Sequence, residues 1–149
     1  MERMFERILV VCTGNICRSP VAEAMLRRHA PERNIGSAGL GALVGEGVAP
    51  QARALAEADG LDVSGHQARQ LTTGMLEQSD LVLVMSDGQR QAIGRNHPRA
   101  LGKTMRFGHW LDDGHGRDIP DPYGKSDEAF REVHALLTEA AQSWAERLG

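Results

Sequence analysis

Short apolar runs alternate along the chain with stretches in which apolar residues recur every three to four positions. The runs read as buried strands and the recurring stretches as amphipathic helices, which predicts an α/β domain built on a parallel sheet. The first run, 8–11, ends at Cys12. A helical pattern over 20–29 follows, with Val21, Ala24, Met25 and Leu26 available to face the sheet and Pro31 just beyond it. Residues 34–38 form a short second strand. Four glycines within 39–47 mark a loop. A helix starts near Pro50 and passes through Ala54, Leu55 and Ala58 to Gly60, a residue suited to the position just past a helix end. Residues 72–78 form a shorter helix. The run 81–85 is continuous, β-rich and bounded by Asp80 and Ser86, and it is the best buried strand in the chain. A helix over 87–95 stops at Asn96-His97-Pro98, and 104–107 forms the fourth strand. Residues 108–125 are polar and rich in Gly, Asp and Pro, a long functional loop. A last helix over 127–147, capped by Ser126, sets Phe130, Val133, Leu137, Ala140, Trp144 and Leu148 on one face.

Binding sites in open α/β sheets form at the carboxyl ends of strands. Three segments meet that description here: Cys12, the loop over 39–47, and the loop after strand four that carries Asp121. The alternation alone brings them to one rim.

The stretch Val10-Val11-Cys12-Thr13-Gly14-Asn15-Ile16-Cys17-Arg18-Ser19-Pro20 reads as strand, tight loop and helix, with Ser19 as the helix cap and Pro20 in the first helical position. Such a loop aims backbone N–H groups and a helix dipole at one point, which makes an anion site. A cysteine there has its thiolate stabilised and becomes nucleophilic. Arg18 can grip two oxygens of a tetrahedral oxyanion with its planar fork. Gly14 supplies a positive φ and close backbone approach, the Asn15 side chain braces the loop, and the Ser19 hydroxyl donates to the thiolate. The bland alternative is real, because Cys-x5-Arg arises by chance and a lone cysteine after a strand is usually a buried small hydrophobe. Half a zinc site is a further option, but there is no second cysteine pair and no histidine nearby. The strand before, Gly and Asn within, and Ser-Pro after favour the anion-binding cysteine.

Composition narrows the classes. The 149 residues suit one domain, 1–149, with 41% apolar and 25% charged residues, an ordinary soluble balance. A net charge of −3 with no basic run argues against nucleic-acid binding. The N-terminal apolar run is too short for a signal h-region or a membrane span. Two cysteines, one needed as a thiolate, suit a reducing compartment, with cytoplasm as the default.

Cys12-Thr13-Gly14-Asn15-Ile16-Cys17-Arg18-Ser19-Pro20 resembles the signature of the low-molecular-weight protein tyrosine phosphatases. The likeness continues through Ser37-Ala38-Gly39, His66-Gln67-Ala68-Arg69-Gln70, Asp80-Leu81-Val82-Leu83-Val84-Met85 and Asp121-Pro122-Tyr123. Residues 39–45, 107–110 and 119–123 most resemble the bacterial branch that acts on tyrosine autokinases of capsule and exopolysaccharide export. The resemblance implies a four-stranded flavodoxin-like or Rossmann-like sheet in the order 2-1-3-4. It also implies phosphotyrosine hydrolysis through a cysteinyl-phosphate, with inorganic phosphate as product and no cofactor or metal. Arg18 and the loop dipoles would carry the charge stabilisation that metal ions supply elsewhere.

Breaking the ester also needs a proton donor for the leaving oxygen. Asp112, Asp113, Asp118 and Asp121 share the last loop, where a solvated acidic surface is the usual reading. Pro120 and Pro122 stiffen the backbone around Asp121 and tilt the choice toward it, and the match on Asp-Pro-Tyr assigns it as acid, then base. By the same resemblance, Cys12, Arg18 and Asp121 are catalytic. Thr13, Gly14, Asn15, Ile16, Cys17, Ser19, Leu43 and Tyr123 contact substrate, and His66 and Ser37 support the loop. His66 matches a family histidine that braces the phosphate loop through an Asn. Tyr123, the sole tyrosine, reads either as one wall of an aromatic slot or as a packing residue. Leu43 stands where eukaryotic relatives place an aromatic wall, so that side should be more open. The other histidines, His29, His97, His109, His115 and His134, read as surface residues. Gly124 replaces the second tyrosine of eukaryotic relatives, so regulation by its phosphorylation has no counterpart here.

Three rivals remain within reach of these residues. Arsenate reductases of this fold relay a disulfide through downstream cysteines, and none follows Cys17. Arginine phosphatases resemble the chain in Cys-Thr-Gly-Asn and Asp-Pro, but carry threonine at the Ile16 position and phenylalanine at the Tyr123 position. An apolar Ile16 suits a phenol ring. A phosphotyrosine-binding module would lack one of Cys12, Arg18 and Asp121, and all three are present. Cys17, five positions from Cys12, is either a buried thiol or the partner in a protective disulfide.

Overall fold

The computed structural model describes residues 5–148. Strands β1 (Arg7–Cys12), β2 (Asn34–Gly39), β3 (Leu81–Val84) and β4 (Thr104–Arg106) form one parallel sheet in the order β2-β1-β3-β4. Helices α1 (Arg18–His29), α2 (Pro50–Ala58), α3 (Thr73–Gln78), α4 (Asp87–Asn96) and α5 (Asp127–Leu148) connect and cover it. This is the fold class and strand order that the resemblance implied.

Period-two alternation sorts the strand side chains between two cores. Ile8, Val10, Leu81 and Leu83 pack on one face with Met25 and Leu26 of α1, Ala52 of α2 and Phe130, Val133, Leu137 and Trp144 of α5. Leu9, Val11, Val82 and Val84 pack on the other with Leu76 of α3 and Ile93 of α4. With helices on both faces, the strands of β1 and β3 have no polar side to show, which is why they read as continuous apolar runs. No helix among the described residues is long and apolar enough to cross a membrane.

The helix signals hold for most elements. Thr72, Ser86 and Ser126 cap α3, α4 and α5, accepting from the amides of Met75, Gln89 and Ala129. Pro50 opens α2, and Gly60 lies just past its end at φ +78°. The start of α1 differs. It begins at Arg18, with Cys17 at the cap position and no side-chain cap bond, so Ser19 and Pro20 lie inside the first turn. The Ser19 hydroxyl is engaged elsewhere, and the orphan amides of this helix are left to the loop's own purpose. Within α1, Ala22 is fully buried alongside Val21, Met25 and Leu26, while Ala24 is half-buried and packs against the same core. β3 stops at Val84 because the Met85 amide turns to the Gln89 side chain. β4 stops at Arg106, although the Phe107 amide still donates to Val84 O. A 3-10 segment over Pro98–Lys103, absent from the apolar pattern, links α4 to β4.

Three of the histidines read as surface residues, His97, His109 and His134, are half-buried. His109 meets Trp110 edge-on and lies near Trp144, and burial with Arg106 and Arg147 nearby pushes its pKa down. His134 of α5 contacts Asp59 Oδ2 at 3.2 Å, and Asp59 is also paired with Arg28 of α1.

Gly39 closes β2 against the first loop. A Cβ there would lie 2.5 Å from Thr13 O, a contact with backbone that cannot swing aside. Gly39→Ala is therefore expected to cost about 2 kcal/mol or more and to weaken phosphate binding by displacing the loop. Urea unfolding with a phosphate titration checks both, and wild-type values in both would refute the close approach.

Candidate active site

The loop after β1 is held by its carbonyls. Leu40 N donates to Cys12 O at 3.0 Å, Gly41 N to Thr13 O at 2.9 Å, Leu43 N to Gly14 O at 3.1 Å and Ala49 N to Ile16 O at 2.8 Å. The Asn15 carbonyl takes a bond of 2.6 Å from His66 Nε2, which must carry its proton to donate there. Five successive carbonyls are thus tied to residues 40–49 and His66. Among the described residues no protein acceptor takes the amides of residues 13–18. Those amides and the start of α1 form a cradle for an anion.

One buried asparagine organises the centre. Asn15 Nδ2 donates to Ser19 Oγ at 2.7 Å and to Ser37 Oγ at 3.0 Å, and Asn15 Oδ1 accepts from the Arg69 amide at 2.9 Å. The Arg69 amide can only donate, which fixes the amide orientation. Ser19 Oγ lies 2.9 Å from Cys12 Sγ. Once Cys12 is a thiolate, which can only accept, the Ser19 hydroxyl donates to the sulfur across this contact. Asn15 also carries the strained backbone of the loop, at φ +58°, while Gly14 stays outside the positive-φ region. The expectation for Gly14 is corrected: asparagine tolerates the left-handed region, and its side-chain bonds stabilise it there.

Arg18 is 4% exposed. One terminal nitrogen donates to Ile119 O at 2.9 Å, the other lies 3.8 Å from Asp121 Oδ2, and its buried Nε has no protein partner. Asp121 is half-exposed, and its Oδ1 accepts from Tyr123 N at 3.0 Å. The loop that carries it is anchored on the strand ends. Ile119 N donates to Met85 O, and Asp118 Oδ1 takes both Arg106 at 3.1 Å and Asp87 N at 3.1 Å. Of the loop's four aspartates only Asp121 is paired with Arg18, whereas Asp118 serves as an anchor and Asp112 and Asp113 sit at positive φ. Gly116, at φ +85°, leaves room that Arg106 fills, since a Cβ there would lie 2.3 Å from its guanidinium.

Of the sites read from the sequence, Cys12, Asn15, Ser19, Ser37 and His66 share one hydrogen-bonded set, and Arg18, at the end of the same loop, faces Asp121. Leu43 and Tyr123 border a groove of about 770 Å³ whose lining includes Ile16. Thr13 is exposed, its hydroxyl accepting from Gln89 Nε2 at 3.2 Å. Cys17 is buried among Val21, Phe130 and Leu137, and burial with the charges of Cys12 and Asp121 pushes its thiol up to about 12 against the opposing pull of Arg18. Both cysteines are free thiols. Sequence reasoning missed Gln89, the Arg69 amide and the anchoring role of Asp118, which it weighs only as a candidate acid. Only Arg69 had a signal, as a member of the segment around His66. A larger cleft of about 890 Å³ lies between α1 and residues 60–69, and it includes none of Cys12, Arg18 and Asp121.

Fold and loop together define an α/β enzyme of the anion-cradle type with a cysteine at the base of the cradle and an arginine beside it. The Low molecular weight phosphotyrosine protein phosphatase family matches residues 7–149, and the chain belongs to it. It is an enzyme of the protein-tyrosine-phosphatase class. The low molecular weight protein-tyrosine-phosphatase Wzb of Salmonella typhimurium is 46% identical, over 97% of this chain and 95% of its own length. The crystal structure of the tyrosine phosphatase Wzb from Escherichia coli in complex with sulphate superposes with a TM-score of 0.94 at 51% identity, covering 98% of this chain and 100% of that one. Vibrio vulnificus Wzb in complex with benzylphosphonate gives 0.91 at 44%, covering 96% and 99%. The YwlE arginine phosphatase from Geobacillus stearothermophilus is more distant, at 32% identity and 0.88, covering 95% and 92%.

Proposed function

We propose that the protein hydrolyses phosphotyrosine in two steps at Cys12. The observation that carries this reading is the set of donors on one loop, the buried Arg18 Nε and the amides of residues 13–18, which follow a cysteine whose sulfur lies 2.9 Å from the Ser19 hydroxyl oxygen. Phosphate fills that cradle, with its oxygens on the amides and on Arg18. Cys12 thiolate, held by Ser19, attacks phosphorus as the P–O bond to the ring breaks, and Asp121 gives its proton to the departing phenolate. The cysteinyl-phosphate that results is cleaved by water, which passes a proton to Asp121 as it attacks, and inorganic phosphate leaves. Asn15, Ser37 and His66 hold the loop in shape throughout. Leu43, Ile16 and Tyr123 form the slot for the ring, a reading supported by the benzylphosphonate in complex with the Vibrio relative.

Likeness to the Wzb enzymes extends the proposal to the cell. The substrate would be the phosphorylated tyrosine tail of a membrane autokinase that controls capsule or exopolysaccharide export, met in the cytoplasm.

Asp121→Ala is expected to lower kcat/KM on phosphotyrosine by about 10²–10⁴-fold and kcat/KM on an ester with a good leaving group far less, with kcat on the latter then limited by the slowed water step. Steady-state rates across a leaving-group series check it, and unchanged turnover of phosphotyrosine would remove Asp121 from the role. The substrate is tested by phosphate release from phosphotyrosine and phosphoarginine peptides, without metal, for the wild type and Ile16→Thr. The expected result is a preference for phosphotyrosine that the substitution weakens. Preference of the wild type for phosphoarginine would leave the loop chemistry standing and overturn the substrate, in favour of the arginine-phosphatase reading.

A further inference from the structure

Four large apolar side chains are conspicuously exposed among the described residues, and three of them border one groove: Leu43 at 44%, Val44 at 69% and Tyr123 at 59%. The fourth, Leu101, belongs to the 3-10 segment and packs over Gly94. Exposed apolar residues gathered in this way mark a contact surface.

The groove is larger than a phenol ring requires. Its volume of about 770 Å³ falls in the range of roughly 300–1,000 Å³ that holds a whole drug-sized molecule. Ile16 of the catalytic loop belongs to its lining, so it is continuous with the phosphate cradle, and it runs on to Val44 and Val48. Its wall is also preformed. Ala49 N is tied to Ile16 O, Gly45 N to Ala68 O at 2.8 Å and Ala68 N to Glu46 O at 2.8 Å. Glu46 is the one charged residue in the lining.

Resting on the phosphotyrosine reading, we propose that the groove beyond the ring slot receives a second side chain of the substrate, two positions from the phosphotyrosine in an extended chain. Side chains two apart in a strand point to the same side, roughly 7 Å apart, so ring and second side chain enter together. The preferred residue is apolar or aromatic, seated against Val44 and Val48. An acidic residue is rejected, because it would lose water to apolar walls and face the Glu46 carboxylate.

The test is a set of phosphotyrosine peptides with Leu, Tyr, Ala or Asp two positions before or after the phosphotyrosine, read as kcat/KM for the wild type, Val44→Ser and Glu46→Gln. For one of the two positions, Leu and Tyr should exceed Ala by about tenfold and Asp should fall below it. Val44→Ser should shrink the Leu-to-Ala ratio toward one while p-nitrophenyl phosphate, which has no flanking residue, is turned over at the wild-type rate. Glu46→Gln should raise the Asp peptide selectively. Equal kcat/KM for all peptides, or a ratio untouched by Val44→Ser, overturns the groove's role and leaves phosphotyrosine hydrolysis intact. Failure to hydrolyse any phosphotyrosine peptide, with phosphoarginine peptides consumed, overturns the underlying reading and the groove's role with it.

Discussion

Cys12→Ser is expected to reduce kcat on phosphotyrosine by at least ~10⁴-fold and yet leave inorganic phosphate binding in place. The substitution exchanges one atom at the base of a loop whose other groups are untouched. The five tied carbonyls, the free amides and the Arg18 fork do not depend on sulfur. What is lost is a nucleophile that one neighbouring hydroxyl can hold as an anion. The Ser19 hydroxyl, its oxygen 2.9 Å from Sγ, helps to hold a thiolate, whereas a serine in its place has too high a pKa to ionise at neutral pH. Phosphate-release assays with calorimetric titration of phosphate separate the two properties. Residual activity within tenfold of wild type would mean that another group attacks phosphorus.

Arg18→Lys is expected to cost about 10³-fold in kcat/KM, with both kcat and KM affected, although the charge is retained. Lysine cannot reproduce the fork. Arg18 spends one terminal nitrogen on Ile119 O, holds the other 3.8 Å from Asp121 Oδ2, and keeps a buried Nε that has no protein partner. A single ammonium can satisfy one of these demands at a time, and a buried amine left short of partners is itself costly. The Ile119 contact also connects the arginine to the acid loop two residues before Asp121. The double variant Arg18→Lys/Asp121→Ala should therefore lose less than the product of the two single effects. Full multiplicativity in kcat would mean that the arginine holds phosphate without positioning the loop.

The parts of the molecule governed by local rules were legible in the sequence. β1 and β3 are buried on both faces, so their runs Ile8–Val11 and Leu81–Val84 could be nothing but inner strands. Ser126 caps α5 as its position before the helix suggested, accepting from the Ala129 amide, whereas Thr72, read as part of the short helix, turns out to be the cap of α3. The Cys-x5-Arg loop was visible as strand, loop and helix before any resemblance was invoked. Ser19 defeated the local rule, since Ser-Pro is a good helix opening and yet its hydroxyl is taken by Asn15 and Cys12. Gly14 and Asn15 exchanged roles because three side-chain bonds stabilise an asparagine in the conformation usually left to glycine. The anchoring roles of Asp118 and Gln89 were not legible because Arg106 and Asp87 for one and Thr13 for the other are brought near only by the fold. His109 carries no pattern of its own, and its burial is created by Trp110 and Trp144.

The claim on which everything else depends is that phosphate passes through Cys12. Asp121→Ala mixed with p-nitrophenyl phosphate, quenched within the first turnovers, digested and read by mass spectrometry tests it most directly, because losing the base slows the water step and lets the intermediate build up. The predicted result is phosphate on the peptide that carries Cys12 and on no other. Phosphate on a peptide lacking Cys12, or sustained turnover with unmodified Cys12 throughout, would contradict the account.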